Sequence, residues 1–277
     1  MSTANSIPFD KMHGSGNDFV VIREDQVEIV GDDFTSFVQN VCRRGLSVGA
    51  DGVIVIGDTD DADFSWHYYN ADGSEGDMCG NGAMVGARYA ATHGIAPERC
   101  TFTTPAGLIA AEVDGEKVTL QMMDARHVES RLRMNALPGV EFDRYIIGVP
   151  PVVGFMDDVD ALAELEQIGR DIRHDPQLGP EGANVNVIHV IDEHTIRMRT
   201  YERGVEAETL ACGTGAVCSA IAAARRGLVQ QPVRIKVSSG LYLEATWTDD
   251  GDNATDIHLS GNARIVARGE LLPDAFL

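Results

Sequence analysis

The chain has 277 residues, 44% of them hydrophobic and 23% charged, the balance of an ordinary soluble globular protein with two modest domains or one large one. A formal net charge of −21 argues against nucleic acid and anionic membrane partners, so an acidic substrate must be drawn in by local groups. No run reaches the roughly 18–20 apolar residues of a membrane span. No basic-then-apolar leader precedes Lys11, and five cysteines without close spacing suit a reducing, cytoplasmic setting.

Residues 11–18 read KMHGSGND, a turn marked by Gly14 and Gly16. It presents Asn17, whose amide can fix a small ligand or simply close an Asx-type turn. A short strand follows at 19–23. The spacing of Phe34, Phe37, Val38 and Val41 predicts a helix over 34–44. A buried strand is expected at 53–56, and an alternating strand at 64–69 delivers Asn70 into turn chemistry at 70–75. A helix over about 82–93 and strands at 101–104, 108–113 and 117–123 complete the first half. The aperiodic stretch 124–137 is the expected crossing between halves. Beyond it, strands at 145–147 and 152–156 flank a Gly-Val-Pro-Pro break. An amphipathic helix is predicted over 158–172, with Asp158 as N-cap and Val159, Leu162, Leu165 and Ile168 on one face. A proline- and glycine-rich loop at 175–182 presents Asn184. Strands at 185–191 and 195–201 follow, the second ending at Glu202 and Arg203. After a second cysteine and helix come strands at 233–237, 241–247, 256–259 and 265–268.

The chain is organised around a repeat: CGNGA at 79–83 returns as CGTGA at 212–216. Counting from each cysteine, alanines recur at offsets four, eight and twelve, as Ala83, Ala87, Ala91 and Ala216, Ala220, Ala224. A glycine stop follows in both copies, at Gly94 and Gly227, and a glutamate stands four residues before each cysteine, at Glu75 and Glu208. Small residues every fourth position mark one helix face that neighbouring chain can approach closely. Each half is therefore expected to hold a helix starting at its cysteine. The architecture implied is α+β, with two related, pseudo-symmetric halves, each a curved mixed sheet wrapped around a small-residue helix.

A helix N-terminus offers free N–H groups and the positive end of the dipole, which attract a carboxylate. A thiol placed there is expected to have its pKa lowered toward neutrality. Two such ends facing one carbon would let one thiolate remove a proton while the other thiol donates one, which is a racemase or epimerase needing no cofactor. Cys42, Cys100 and Cys218 read instead as small buried hydrophobes. The cysteines contain no C-x2-4-C pair and the chain has no phosphate-binding loop, so neither a metal nor a nucleotide is expected. A nucleophilic cysteine in an amidase-like hydrolase, with His13 or His189 as base, is a reading from another class, and a non-catalytic amino-acid-binding module is a third.

HGSGNDF at 13–19, NADGSEGDMCGNGA at 70–83, PEGANVN at 180–186 and YERGVEAETLACGTGA at 201–216 resemble the diaminopimelate epimerase family over nearly the whole chain. The resemblance implies two domains, 1–124 joined by about 263–277, and 125–262, closing on a small amino-acid substrate. It implies Cys79 and Cys212 as the acid/base pair, with Gly80, Asn81, Gly213 and Thr214 binding the α-carboxylate and amine. Glu202 would help bind the amino group and Asn17 would orient the substrate. Asn70, Asn184 and Arg203 would hold the distal end, the arginine as a bidentate clamp. A homodimer is implied as well, with no cofactor and no metal. The chain departs from many relatives at Val149-Pro150-Pro151, where they carry an asparagine or valine, a proline and a histidine. It departs again at Met84-Val85, where they carry Arg-Cys.

Overall fold

A computed structural model describes residues 6–31 and 33–276, so residues 1–5, 32 and 277 of the expected domain ranges lie outside it. The chain forms two compact units, one running to Leu120 and resuming at Gly261, the other spanning Gln121–Ser260.

In the first unit β1 (Ile7–Gly14) and β2 (Asn17–Arg23) form a hairpin, and α1 (Phe34–Cys42) carries the chain across to β3 (Gly52–Gly57), parallel to β2. Asp33 caps α1 by accepting the Ser36 N–H at 2.9 Å. Phe37, Val38 and Val41 of α1 pack on Val53 and Val55 of β3. Antiparallel to β3 runs β4 (Phe64–Asn70), which carries the short β5 (Glu75–Gly76). After α2 (Gly80–Thr92) come β6 (Arg99–Thr104), parallel to β4, and a meander of β7 (Gly107–Asp114) and β8 (Lys117–Met122). The ring closes when residues 263–271 run antiparallel along β1, from Gly14↔Ala263 to Ile7↔Leu271. Ala263 N–H also donates to the Glu116 carbonyl at 3.0 Å.

The second unit repeats this order: β9 (Ala125–Arg133), β10 (Glu141–Ile146), β11 (Pro151–Phe155), α3 (Leu165–Arg173), β12 (Asn184–Asp192), β13 (Thr195–Glu202), β14 (Ala207–Thr209), α4 (Gly213–Arg225), β15 (Val233–Lys236), β16 (Tyr242–Asp250) and β17 (Asn253–Leu271). Again the helical crossover joins parallel strands, β11 and β12, and the strand after the central helix, β15, is parallel to β13. Asn253↔Arg126 and Ala254↔Ala125 close this ring through β17 and β9. The expected α+β architecture, a mixed sheet wrapped around one helix and repeated, is what the chain adopts.

The enclosed helices explain the small-residue pattern. α2 lies against β1, β2, β3, β4 and β7, and α4 against β11, β12, β13, β15 and β16. Trp66 of β4 lies across α2, with its Nε1–H donating to the Gly82 carbonyl at 3.2 Å, and a Cβ on Gly86 would sit 2.5 Å from the indole Cδ1. Both helices stop as expected on left-handed glycines, Gly94 (φ 69°) and Gly227 (φ 70°).

Three expectations need correction. The helix predicted over 158–172 begins only at Leu165. Arg199 Nη1 takes the carbonyls of Val159 and Leu162, and His189 Nδ1 accepts the Val159 N–H at 3.0 Å. Side chains from neighbouring strands thus occupy backbone groups that a helix would need. Asp158 accepts the Asp160 N–H at 2.9 Å and caps a turn instead. The aperiodic stretch 124–137 contains β9, and the two strands expected at 256–259 and 265–268 are parts of the 19-residue β17.

Substituting Gly86→Ala is expected to destabilise the protein by about 1–3 kcal/mol, because the indole cannot retreat from a packed ring. Urea unfolding of the variant beside wild type measures it, and an unchanged midpoint would show that Trp66 moves freely.

Candidate active site

In the first unit Cys79 is the N-cap of α2, in extended conformation (φ −139°, ψ 114°), and its sulfur accepts the Gly82 N–H at 3.4 Å. Gly80 and Asn81 form the first turn. Asn17, the first residue of β2, brings its side-chain oxygen to 3.6 Å from the Cys79 sulfur, and its Nδ2 donates to Asp51 at 2.7 Å. This approach requires Gly14, where a Cβ would lie 2.6 Å from the Asn81 carbonyl oxygen. Behind Asn17 stands a charged cluster. Asp51 also accepts from the Asp18 N–H and from Arg44, and Asp18 pairs with Arg44 and with Lys11 at 2.7 Å. Burial works against the charge of Asp18, yet its bonds from Arg44 and Lys11 hold it down at about 2. Asn70 ends β4 in its own turn, its Nδ2 donating to Ser74 Oγ at 3.1 Å and its Oδ1 accepting from Tyr68 at 2.8 Å.

In the second unit Cys212 caps α4 in a similar conformation (φ −124°, ψ 118°) and is buried, with Gly213 next in the helix. Its sulfur lies 3.5 Å from Thr214 Oγ1 and 3.9 Å from Asn184 Nδ2, and it hydrogen-bonds the Glu202 carboxyl at the end of β13. Thr209 donates its hydroxyl to Glu202 Oε1. Asn184 Oδ1 accepts the backbone N–H of Arg203 at 2.8 Å. Among the described residues the Arg203 guanidinium has no hydrogen-bonding or ionic partner, while the nearby Arg173 and Arg199 are paired to Glu206 and Glu208.

Electrostatics overturn one expectation. Cys212 is not lowered by its helix end: burial first, then the neighbouring Glu202, push its thiol well up. Burial likewise raises Glu202, against the hydrogen bonds from Thr209 and Cys212. Two buried acids in contact resist carrying two charges, so the site holds Cys212 as a thiol. Burial also raises Cys42 to about 12 and Cys100 to about 11, which keeps these two thiols inert.

The model of the diaminopimelate epimerase family matches residues 9–128 and 145–266. The diaminopimelate epimerase of Aquifex aeolicus is 40% identical over 276 residues, covering 95% of this chain and 97% of that relative. That of Archaeoglobus fulgidus is 40% identical over 260 residues, covering 88% and 90%. This chain belongs to the diaminopimelate epimerase family, whose members are isomerases. Solved structures share the fold: a probable proline racemase from Agrobacterium radiobacter (TM-score 0.71, 17% identity, 98% of this chain and 94% of that one). A hydroxyproline epimerase from Agrobacterium vitis also shares it (TM-score 0.65, 15% identity, 99% and 93%).

Against that family the departures have definite places. Met84 and Val85 are fully buried inside α2, away from its first turn. Pro151 stands opposite Asn184 in the β11–β12 register, and the Pro150 carbonyl accepts the Asn184 N–H at 3.1 Å. His189 serves Val159 five residues along β12 from Asn184, roughly 17 Å at strand rise, too far to activate Cys212. His194, spaced from it as H-x4-H, bonds the Gln230 carbonyl. His13 hydrogen-bonds neither cysteine, and its Nδ1 is buried without a partner among the described residues. The amidase reading therefore lacks its base.

Sequence reasoning missed Asp51, Thr209 and Asn186. The last is fully buried, donates to the Val152 carbonyl and would meet a Cβ on Gly215 at 2.1 Å, so it is a packing partner of α4 rather than a ligand group. The one available signal lay in the glutamates of the repeat: Glu75 bonds His67 at 2.8 Å and Glu208 bonds Arg199, each tying down the strand that leads to its cysteine.

Removing the Glu202 charge should release Cys212. In Glu202→Gln, with Cys42, Cys79, Cys100 and Cys218 all changed to alanine so that one thiol is read, ionisation of Cys212 should move down by about one pH unit or more. Thiolate absorbance in the ultraviolet follows it; a curve that stays put would mean that burial alone sets the value.

Proposed function

We propose that this chain interconverts LL- and meso-diaminopimelate, on the route to lysine and cell-wall peptide precursors, by a two-thiol mechanism. The observation that carries this reading is the pair of cysteine N-caps at the mouths of two repeated helices, each with a polar partner at its sulfur, in a chain of this family. The substrate α-carboxylate would be received by the N–H groups of Gly80, Asn81, Gly213 and Thr214. Glu202 would take the α-ammonium, with Asn17 beside it.

One cysteine, as thiolate, removes the α-proton, and the electron pair left on carbon is stabilised by the held carboxylate. The other, as thiol, delivers its proton to the opposite face. The two sulfurs end with exchanged protonation, so the reverse reaction needs no further group. No step calls for a bound metal or an organic cofactor. Arg203 fits the distal carboxylate because its guanidinium has no partner among the described residues, with Asn184 fixed beside its backbone and Asn70 completing the distal contacts. Val149 contributes no polar contact there, a loss of about 1 kcal/mol, smaller than the arginine clamp at about 1.5–3 kcal/mol per charge-assisted bond. The proposed setting is cytoplasmic and the proposed assembly a homodimer, with domains at 1–124 plus 263–277 and at 125–262.

Incubation with LL-diaminopimelate in heavy water should incorporate deuterium at one α-carbon and yield the meso form. Cys79→Ala and Cys212→Ala should each abolish turnover, whereas alanine at Cys42, Cys100 or Cys218 should not; full activity in either single catalytic variant would sink the scheme. Arg203→Lys should raise KM well over tenfold, since an ammonium cannot make the bidentate contact. A far higher kcat/KM for histidine or another single-headed amino acid would instead mark Val149 and Pro151 as a changed specificity.

A further inference from the structure

We infer that Asp51 is a positioning residue for Cys79: by claiming the Asn17 amide nitrogen it turns the Asn17 carbonyl onto the sulfur and keeps Cys79 a hydrogen-bond-donating thiol while the site is empty. The inference rests on the acid/base reading of Cys79 for its functional meaning, though not for its geometry.

The orientation of an asparagine amide follows from its partners. A carboxylate has only acceptors to offer, so the group 2.7 Å from Asp51 Oδ2 must be the Asn17 NH2. The oxygen is then the atom left facing Cys79, at 3.6 Å. A carbonyl oxygen can accept an S–H but offers nothing to a thiolate except the negative end of its dipole. Asp51 cannot easily release its hold, because the same carboxylate takes the Asp18 N–H at 3.1 Å and Arg44 at 2.9 Å. Arg44 in turn bridges Asp18 and Asp51, and the Asp18 carboxylate accepts the Asp51 N–H at 3.2 Å. The amide is therefore locked from behind.

Opposing this lock are the Gly82 N–H on the sulfur and the helix end, both of which favour thiolate. The charged groups on the elements packed around this end of α2 compensate one another only beside Asn17, where two cations meet two carboxylates; the remaining carboxylates act with the Asn17 dipole in favouring the thiol. Lys11 of β1 and Arg44 after α1 meet Asp18 and Asp51, Glu75 of β5 is bonded to His67 of β4, and Asp77 lies in the approach to the cysteine. His13 of β1 has its pKa lowered by burial and then by Arg264, so it adds no cation at neutral pH. Asp10 lies at the other end of α2 with His93 and Arg268. The fixed Asn17 dipole thus favours the thiol at rest. When a substrate ammonium takes the Asn17 oxygen, the sulfur loses the Asn17 acceptor, its proton is held less firmly and passes to solvent, and the thiolate needed for proton abstraction forms with ligand in place.

Asp51→Asn breaks the lock without removing the hydrogen-bonding shape, since its amide can donate to the Asn17 oxygen and let the Asn17 NH2 face the sulfur. The experiment measures the pH dependence of Cys79 alkylation by iodoacetamide, read by mass on the Cys79 peptide, in the full-length ligand-free protein. In Asp51→Asn the alkylation rate at neutral pH should rise about tenfold and the midpoint fall by about one unit, with the Cys212 curve unchanged. If Asp51→Asn does not fold, Asn17→Ala removes the carbonyl while leaving the Asp51–Arg44 pair, and should shift Cys79 in the same direction. An unshifted Cys79 curve in a folded variant overturns the inference. A shift in a protein that fails to epimerise diaminopimelate upholds the positioning role and sinks only the functional reading, whereas normal turnover without a shift does the reverse.

Discussion

A helix enclosed by strands on every side has only its ends for polar chemistry, and that constraint shapes both units. Where a wall side chain reaches in against the helix it leaves room for little more than hydrogen or methyl, hence the glycines and alanines of α2 and α4. Trp66 fills the space over Gly82 and Gly86, and Asn186 fills the space over Gly215. The carboxy-terminal ends are closed by left-handed glycines, which satisfy the last carbonyls with backbone N–H groups. The amino-terminal ends are left with donors to spare, and the cysteine that caps each one stands where a ligand anion would complete the helix. Small residues in the stripe and a cysteine at its head are therefore two results of one packing problem.

What a cysteine becomes at such a place is decided by magnitudes. A helix terminus is worth about 0.3–1 kcal/mol to a charge, and about 2 in the best partly buried cases. Removing a charged group from water shifts its pKa by up to about 3–5 units, several kcal/mol. At Cys212, which is buried and touches Glu202, desolvation and the neighbouring acid overwhelm the dipole. The sequence shows the helix end because the CGxG pattern is local. It does not show the burial, which depends on Asn184, Glu202 and Thr209 arriving from other strands.

The same division between local and distant causes runs through the rest of the fold. The periodicity of α1, the alternation of β4 and the doubled cysteine helices were legible because each is written in consecutive residues. Residues 158–164 carried a helical pattern and formed none, since Arg199 and His189 claim their backbone groups from β13 and β12. The single strand β17 looked like two because its partners change along its length, from β16 and β9 to β1, and no residue within it announces the exchange. The Asn17–Asp51 contact was invisible for a similar reason: Asp51 lies in a turn far along the chain from Asn17, and only the parallel pairing of β2 with β3 sets them side by side.

The acid excess of the chain fits the same picture once its charges are followed to their partners. A net charge of −21 would repel a dicarboxylate unless some cation were left unpaired where the ligand must dock. In the second unit Glu206 is engaged by Arg173 and Tyr201, and Glu208 by Arg199 and Ser238. These pairs take out of play the two glutamates that follow Arg203 most closely in the chain. The backbone of Arg203 is meanwhile pinned by Asn184, whose other end approaches the Cys212 sulfur. A single asparagine thus ties the Arg203 backbone to the Cys212 sulfur, while the guanidinium stays without a partner among the described residues. Across from Pro151 in the β11–β12 register, the Asn184 N–H donates to the Pro150 carbonyl at 3.1 Å, which fixes the asparagine backbone as well.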